Sequence, residues 1–274
     1  YYGERLAPPD VVRQHVRPLF AERGYEVTVS QRAGEHVVVA EPASRAGGIP
    51  WLNLLLLLVT TLSTLYAGSL WYGISQPLSP PTRLLGAWPF AAGVMGVLGV
   101  HELGHYAMSR YHDVDASLPY FIPLPTYIGS MGAVIRMRGR IPDRRALFDI
   151  GVAGPLAGLA ATVVVTVVGL QLDPLPAAER AIAASGDTAQ IQFNNPPLLA
   201  LLAELTGTAE KLQGEAVHPV VFGGWVGMLV TLLNMLPVGQ LDGGHIVRAM
   251  VGKRQETLAA AVPADALLAV AFYG

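Results

Sequence analysis

The fold is decided by the stretch AAGVMGVLGVHELGHY, residues 91–106, in which two histidines and a glutamate interrupt an apolar run. On a helix, residues four apart project from the same face, so His101 and His105 can bind one metal ion. Glu102 follows the first histidine and can reach a water on that metal. Because ionisable groups are expensive to bury at bilayer depth, such a cluster indicates a functional site. The alternative is three buried polar residues that neighbouring helices satisfy.

The three polar residues form the H-E-x-x-H pattern of zinc hydrolases. Catalytic zinc usually takes three protein ligands, so a third ligand must come from elsewhere in the chain. Asp242 is the best candidate, because the turn Leu241-Asp242-Gly243-Gly244 follows a helix break at Pro237. Glycines there let the backbone approach a metal closely. Asp242 could instead cap the next short helix.

Three other residues compete for the role of third ligand. His245 is close to Asp242 and is an alternative ligand or a group that orients one. His218 precedes a proline at the outer end of an apolar run, which places it too far away. A glutamate such as Glu204 would define a different kind of membrane zinc protease.

The composition is that of a membrane protein. Of 274 residues, 52% are hydrophobic and 14% are charged, whereas soluble domains average about 25% charged residues. The net charge of -2 does not indicate binding of nucleic acid. The absence of cysteine excludes a disulfide framework and a thiol nucleophile, so a metal must use histidines and carboxylates.

Long apolar runs predict an all-α polytopic membrane protein with at least four to five transmembrane helices. The predicted spans are residues 49–72, 84–106, 148–172 and 220–236, with a fifth starting at 258. Residues 49–274 form this core. Residues 1–48 are polar, and their pattern of one amphipathic helix and two strands predicts a small α+β cap with a regulatory or docking role. The alternative is a passive N-terminal appendage.

Residues 113–145 predict a re-entrant loop or β-hairpin beside the metal. Prolines 119, 123 and 125 exclude a regular helix, yet the segment is too apolar for an open loop. Irregular backbone at membrane depth must be covered by protein or line a cavity, and a free strand edge could pair with an extended peptide. The alternative is a loop on the membrane surface. Residues 173–217 predict an extracytoplasmic loop with a short interfacial helix over 191–205.

The distribution of basic residues predicts the orientation. Fifteen of the 18 Lys and Arg residues fall in the N-terminal region, in 106–145 and in 248–254. The positive-inside rule places these segments in the cytoplasm. The N-terminus and the opening of the active site are therefore expected on the cytoplasmic side of the cell membrane.

The paired motifs His101-Glu-Leu-Gly-His105 and Asn234-Met-Leu-Pro-Val-Gly-Gln-Leu-Asp242-Gly243 resemble those of the site-2 protease family of intramembrane zinc metalloproteases. Gly154-Pro155 is similar to a further family feature, and the resemblance covers roughly residues 84–250. It implies one Zn²⁺ held by the two histidines and Asp242, with Glu102 as the general base. It also implies a substrate that is a transmembrane segment of another membrane protein, such as a single-pass protein.

Asn234 is a further catalytic candidate, because its amide could donate to the oxyanion or hold the substrate backbone. It could also form a hydrogen bond between helices. Two rival functions use the same residues differently. A membrane metal transporter would move metal without needing Glu102, and a non-catalytic membrane scaffold would bind no zinc.

Overall fold

The computed structural model of the chain divides into two compact units, Tyr1–Ile49 and Pro50–Gly274. The residues that it describes are 9–32, 35–42, 50–71, 74, 78, 80–124, 128–137, 141–173, 195–212, 217–238 and 241–251.

The first unit contains one helix and one β-hairpin. Helix α1 is Pro9–Ala21, and strands β1 (Tyr25–Arg32) and β2 (Glu35–Pro42) pair antiparallel. Gly24 lies between helix and strand with a φ of 76°, a conformation that glycine adopts at little cost. Both strands are longer than the five residues each that the sequence predicts.

Three helices of the second unit are long and apolar enough to cross a membrane. They are α2 (Trp51–Trp71), α3 (Trp88–Tyr111) and α4 (Arg144–Gln171). A 3-10 turn over Pro81–Ala87 leads directly into α3. The first three predicted spans therefore correspond to helices, with shifts at their ends.

Helix α4 begins four residues before the predicted start at residue 148. Asp143 caps the helix, because its carboxylate accepts a hydrogen bond of 2.8 Å from the backbone N–H of Ala146. A capping aspartate satisfies one of the free N–H groups in the first turn. Arg144 and Arg145, which the sequence assigns to a loop, are thus the first residues of the helix.

The remaining helices are shorter. They are α5 (Pro197–Leu205), α6 (Pro219–Asn234) and α7 (Asp242–Val251), with a 3-10 turn at Ala209–Leu212. The predicted fourth span corresponds to α6, which ends two residues early. The predicted fifth span, 258–274, lies outside the described residues.

The interfacial helix predicted over 191–205 is represented by α5. Pro197 occupies its first turn, where the missing N–H of proline has no cost. The buried face of α5 packs with α4 and α6 in one apolar cluster. This cluster consists of Leu170, Leu199, Leu202, Ala203, Val221 and Met228.

Glycines bring α3, α4 and α6 close together. A Cβ on Gly104 would lie 2.6 Å from the carbonyl oxygen of Ala153 on α4. A Cβ on Gly223 of α6 would lie 2.5 Å from the backbone of Gly93 on α3. Without side chains at these positions the backbones can touch, which is how helices pack in lipid.

The segment between α3 and α4 forms a β-hairpin, as one of the two predicted alternatives states. Strand β3 (Tyr120–Pro123) pairs antiparallel with β4 (Ser130–Val134), with Phe121 opposite Ala133. The register shifts between Phe121 and Pro123, since proline cannot donate to a ladder.

The hairpin packs against α2 and α3. The side-chain amide of Asn53 on α2 donates to the carbonyl oxygens of Leu118 and Pro119 at 2.8 and 3.0 Å. Phe121 is buried in the same apolar cluster as Leu98, which lies one turn before the first histidine of the motif. The hairpin is therefore fixed beside the part of α3 that carries the polar residues.

Candidate metal centre

His101 and His105 lie on the buried face of α3, and only 2% and 8% of their surfaces are exposed. Their Nε2 atoms are 3.2 Å apart. Asp242, the first residue of α7, places Oδ2 at 3.2 Å from Nε2 of His101 and Oδ1 at 3.2 Å from Nε2 of His105. Two remote segments of the sequence thus converge on one point.

The residues fit a zinc ion. Ligand atoms about 2.0–2.2 Å from a tetrahedral zinc lie roughly 3.3 Å from one another. The two Nε2 atoms are 3.2 Å apart, and each lies 3.2 Å from one of the two oxygens of Asp242, so the group has the size of a zinc site. Among the described residues, His101, His105 and Asp242 form the group of histidines and carboxylates able to hold a metal ion. Three protein ligands leave one position open, as catalytic zinc requires.

A backbone carbonyl orients His105. Its Nδ1 donates to the carbonyl oxygen of Ile150 on α4 at 2.7 Å. Because a carbonyl oxygen only accepts, the proton must sit on Nδ1, which leaves the lone pair of Nε2 free for a metal. Metal-binding histidines commonly have such a partner.

Two glycines of α4 make room for the two imidazoles. A Cβ on Gly154 would collide with Nε2 of His105, and a Cβ on Gly158 would lie 2.7 Å from Nδ1 of His101. The sequence indicates close helix packing from this glycine spacing. The structure shows that the space is filled by the rings of the two histidines.

Glu102 is buried beside His101 on α3 and has 8% of its surface exposed. It lies outside the group of residues able to hold the metal. Its carboxylate is therefore left for another role, and the general-base role that the resemblance implies for it stays a prediction.

Asn234, the last residue of α6, lies at the same point. Its Nδ2 is 3.2 Å from Nε2 of His101. If this ring nitrogen binds a metal, it has no lone pair left for the amide, so the amide is a neighbour of the ligand group with a free donor. This position suits contact with a substrate oxygen.

Neither of the two rival histidines belongs to the ligand group among the described residues. His218 caps the N-terminus of α6, at the other end of the helix from Asn234, and its Nδ1 accepts from the N–H of Val220 at 3.3 Å. His245 is half-buried on α7 and is not in the ligand group.

The sequence gives no signal for two features of the site. The carbonyl of Ile150 is a backbone group, which any residue could supply. His112 and Asp149 form a hydrogen bond with an Nε2 to Oδ2 distance of 2.9 Å, which ties the end of α3 to the start of α4. Their separation of 37 residues hides this pair in the sequence.

The chain belongs to peptidase family M50, whose model matches residues 89–272. This match confirms the resemblance to the site-2 protease family and, with it, zinc as the expected cofactor. The matched region contains both segments that form the metal centre. No solved structure gives a significant match.

Named relatives point to the same class. The chain is 41% identical over 172 residues to the probable zinc metalloprotease EGY1, chloroplastic, of Arabidopsis thaliana, covering 61% of this chain and 30% of that protein. It is 33% identical over 164 residues to the probable zinc metalloprotease EGY2, chloroplastic, of the same plant, covering 59% and 28%. The chain therefore spans about a third or less of the length of these relatives.

Proposed function

We propose that the protein is an intramembrane zinc metalloprotease that hydrolyses peptide bonds within transmembrane segments of other membrane proteins. The observation that carries this proposal is the convergence of two Nε2 atoms, 3.2 Å apart, with a different oxygen of Asp242 3.2 Å from each of them, on helices packed within an apolar core. His101, His105 and Asp242 are the proposed zinc ligands.

The proposed chemistry combines a metal with a buried carboxylate. When bound, zinc supplies Lewis acidity that polarises the scissile carbonyl and makes a water acidic near neutral pH. Glu102 accepts the proton of the attacking water and then passes it to the nitrogen of the leaving amine. The amide of Asn234 donates to the carbonyl oxygen as negative charge develops on it.

The β-hairpin is the proposed docking edge for the substrate. A peptide bond inside a helix is shielded, so the scissile segment must become extended before it is cleaved. The outer edge of β4 is unpaired among the described strands, and an extended peptide can add to such an edge. We place this hairpin at membrane depth as a re-entrant element.

The proposed membrane arrangement follows the charge distribution. Helix α6 is the fourth span, although at 16 residues it is shorter than the other three. The predicted fifth span, 258–274, lies outside the described residues. The arginines at the start of α4 mark the cytoplasmic side. The active site then opens toward the cytoplasm, and the N-terminal cap is a cytoplasmic regulatory or docking unit.

The test is Glu102→Gln in the purified full chain, with Glu204→Gln as the control because Glu204 is exposed on α5. We expect Glu102→Gln to keep bound zinc and to lose cleavage of a single-pass membrane substrate in proteoliposomes. The control should retain both. Loss of a general base typically costs about 10²–10⁴-fold in rate.

Two results would overturn the proposal. Cleavage retained by Glu102→Gln would remove Glu102 from its role. Zinc flux into vesicles that does not depend on Glu102, without peptide cleavage, would establish the transporter function instead.

A further inference from the structure

The two metal-facing imidazoles differ in how their second nitrogen is satisfied. Nδ1 of His105 donates to the carbonyl of Ile150. Nδ1 of His101 is buried and has no hydrogen-bond partner among the described residues. A buried donor that is left unpaired destabilises the folded protein. Nδ1 of His101 therefore needs a hydrogen-bond partner, and α4 is the helix that packs against this ring.

Thr162 is the group on α4 that is placed to meet this need. The Cβ position of Gly158 lies 2.7 Å from Nδ1 of His101, and Thr162 follows one turn later on the same face. Thr162 is fully buried, and its hydroxyl also lacks a partner among the described residues. Side chains of a helix tilt toward its N-terminus, which directs Thr162 toward the level of Gly158.

A contact with α6 confirms the level of Thr162. A Cβ on Gly227 would meet both the hydroxyl of Thr162 and Cγ1 of Val97, the latter at 2.8 Å. Val97 lies one turn before His101 on α3. Thr162 is thus beside Val97, one helical turn from His101, in a space that Gly227 keeps open.

We propose that the hydroxyl of Thr162 is the hydrogen-bond partner of Nδ1 of His101. The two groups meet through rotation of the threonine side chain about its Cα–Cβ bond or through one bound water. Thr162 is then a positioning residue that fixes the tautomer and orientation of His101, as Ile150 does for His105. This inference rests on the proposed zinc site and extends it to a residue that binds no metal.

Thr166 supplies a matched control. It is fully buried on the same face of α4, its hydroxyl lacks a partner among the described residues, and it faces Gly224 of α6. It is one turn farther from His101 than Thr162 is. Removing its hydroxyl disturbs the same helix interface without reaching the metal centre.

The experiment measures zinc affinity of the full chain in detergent by competition with a chelator. We expect Thr162→Val, which keeps the shape and loses the hydroxyl, to lower the affinity about 10–100-fold, the usual effect of losing a group that orients a ligand. Thr162→Ser and Thr166→Val should stay within about threefold of the natural protein. Thr162→Ala, which adds no bulk, should match Thr162→Val.

Cobalt substitution gives a readout that a purely structural role would not move. The visible absorption of bound Co²⁺ should change in Thr162→Val and remain unchanged in Thr166→Val. Equal zinc affinity in the natural protein, Thr162→Val and Thr162→Ala would overturn the inference and leave the proposed function intact. Absence of zinc binding by the natural protein would overturn both.

Discussion

Helices α2 and α3 are both long and apolar, yet they have different roles. In the most apolar 18-residue stretch of α2, 33% of the residues are buried. The corresponding share is 50% in the segment Pro81–Tyr111, which contains α3. The outward faces of α2 carry large exposed leucines, such as Leu52, Leu55 and Leu58. The buried residues of α3 include Gly93, two histidines and a glutamate among apolar side chains.

The comparison shows that hydrophobicity places a helix in the membrane, whereas small residues decide what it can enclose. Ionisable groups are tolerated on α3 because α4 and α6 cover them closely. On α2, the buried residues are mainly small or hydroxyl-bearing and support the hairpin. Helix α2 therefore presents apolar side chains outward, and α3 carries two of the candidate metal ligands.

The largest expected effect comes from filling the space on α4 that the rings of α3 occupy. In Gly154→Ala the new methyl would collide with the imidazole of His105, so zinc content measured by atomic absorption should fall from about one per chain to near zero. Gly99→Ala is the control, because a Cβ there meets nothing within 4 Å. Full zinc content in Gly154→Ala would show that the ring is not seated against this glycine.

A smaller effect is expected where the hairpin rests on α2. Gly129 has a φ of 83°, and a Cβ there would meet Thr64 and, at 2.7 Å, the carbonyl oxygen of Ser63. Gly129→Ala should displace the hairpin, lowering peptide cleavage about tenfold or more, since 1.4 kcal/mol corresponds to a factor of ten. Zinc content should not change.

Gly132→Ala distinguishes the effect of backbone strain in the hairpin from the effect of a steric clash with α2. Gly132 also has a positive φ, 99°, but a Cβ there meets nothing within 4 Å. This variant should cleave faster than Gly129→Ala. Equal losses in the two variants would show that contact with α2 is unimportant for cleavage.

The smallest expected effect is a pH dependence at the N-terminal end of α6. Burial, reinforced by the charge of Lys211, lowers the pKa of His218 below its usual 6.5. The neutral form is therefore favoured in the folded protein, and stability is lost as the pH falls below about 6.5. Protonation also removes the acceptor that caps α6.

The measurement is thermal unfolding in detergent at pH 7.5 and 5.5. The difference in Tm due to this residue should be about 2–4 °C, since losing a cap costs about 1 kcal/mol. His218→Asn keeps an acceptor that does not titrate, so it should reduce the difference. An unchanged difference in His218→Asn would assign the pH dependence to other groups.

The sequence predicted the shared helix face of His101 and His105 and the main helices because both depend on local patterns. Four-residue spacing places His101 and His105 on one face, and apolar runs locate α2, α3 and α4. The boundaries were less accurate, since a single capping contact at Asp143 moved the start of α4. The break before Asp242 was visible because Pro237 ends helices.

Other features of the site depend on how helices meet in space. The contact of the His105 ring with Gly154 depends on how α3 and α4 are aligned along each other. The carbonyl of Ile150 carries no sequence signature. The same holds for the placement of Thr162 near His101. Glycine spacing indicated a close helix contact, and the coordinates were needed to show what that contact encloses.

Zinc content of Asp242→Ala, compared with Glu204→Ala, tests the metal centre most directly. Asp242 lies within 3.2 Å of both imidazoles, whereas Glu204 is exposed on α5. The proposed ligand set predicts that Asp242→Ala loses zinc and that Glu204→Ala keeps about one ion per chain. Full zinc content in Asp242→Ala, or its loss in Glu204→Ala, would contradict the assignment of Asp242 as the third ligand.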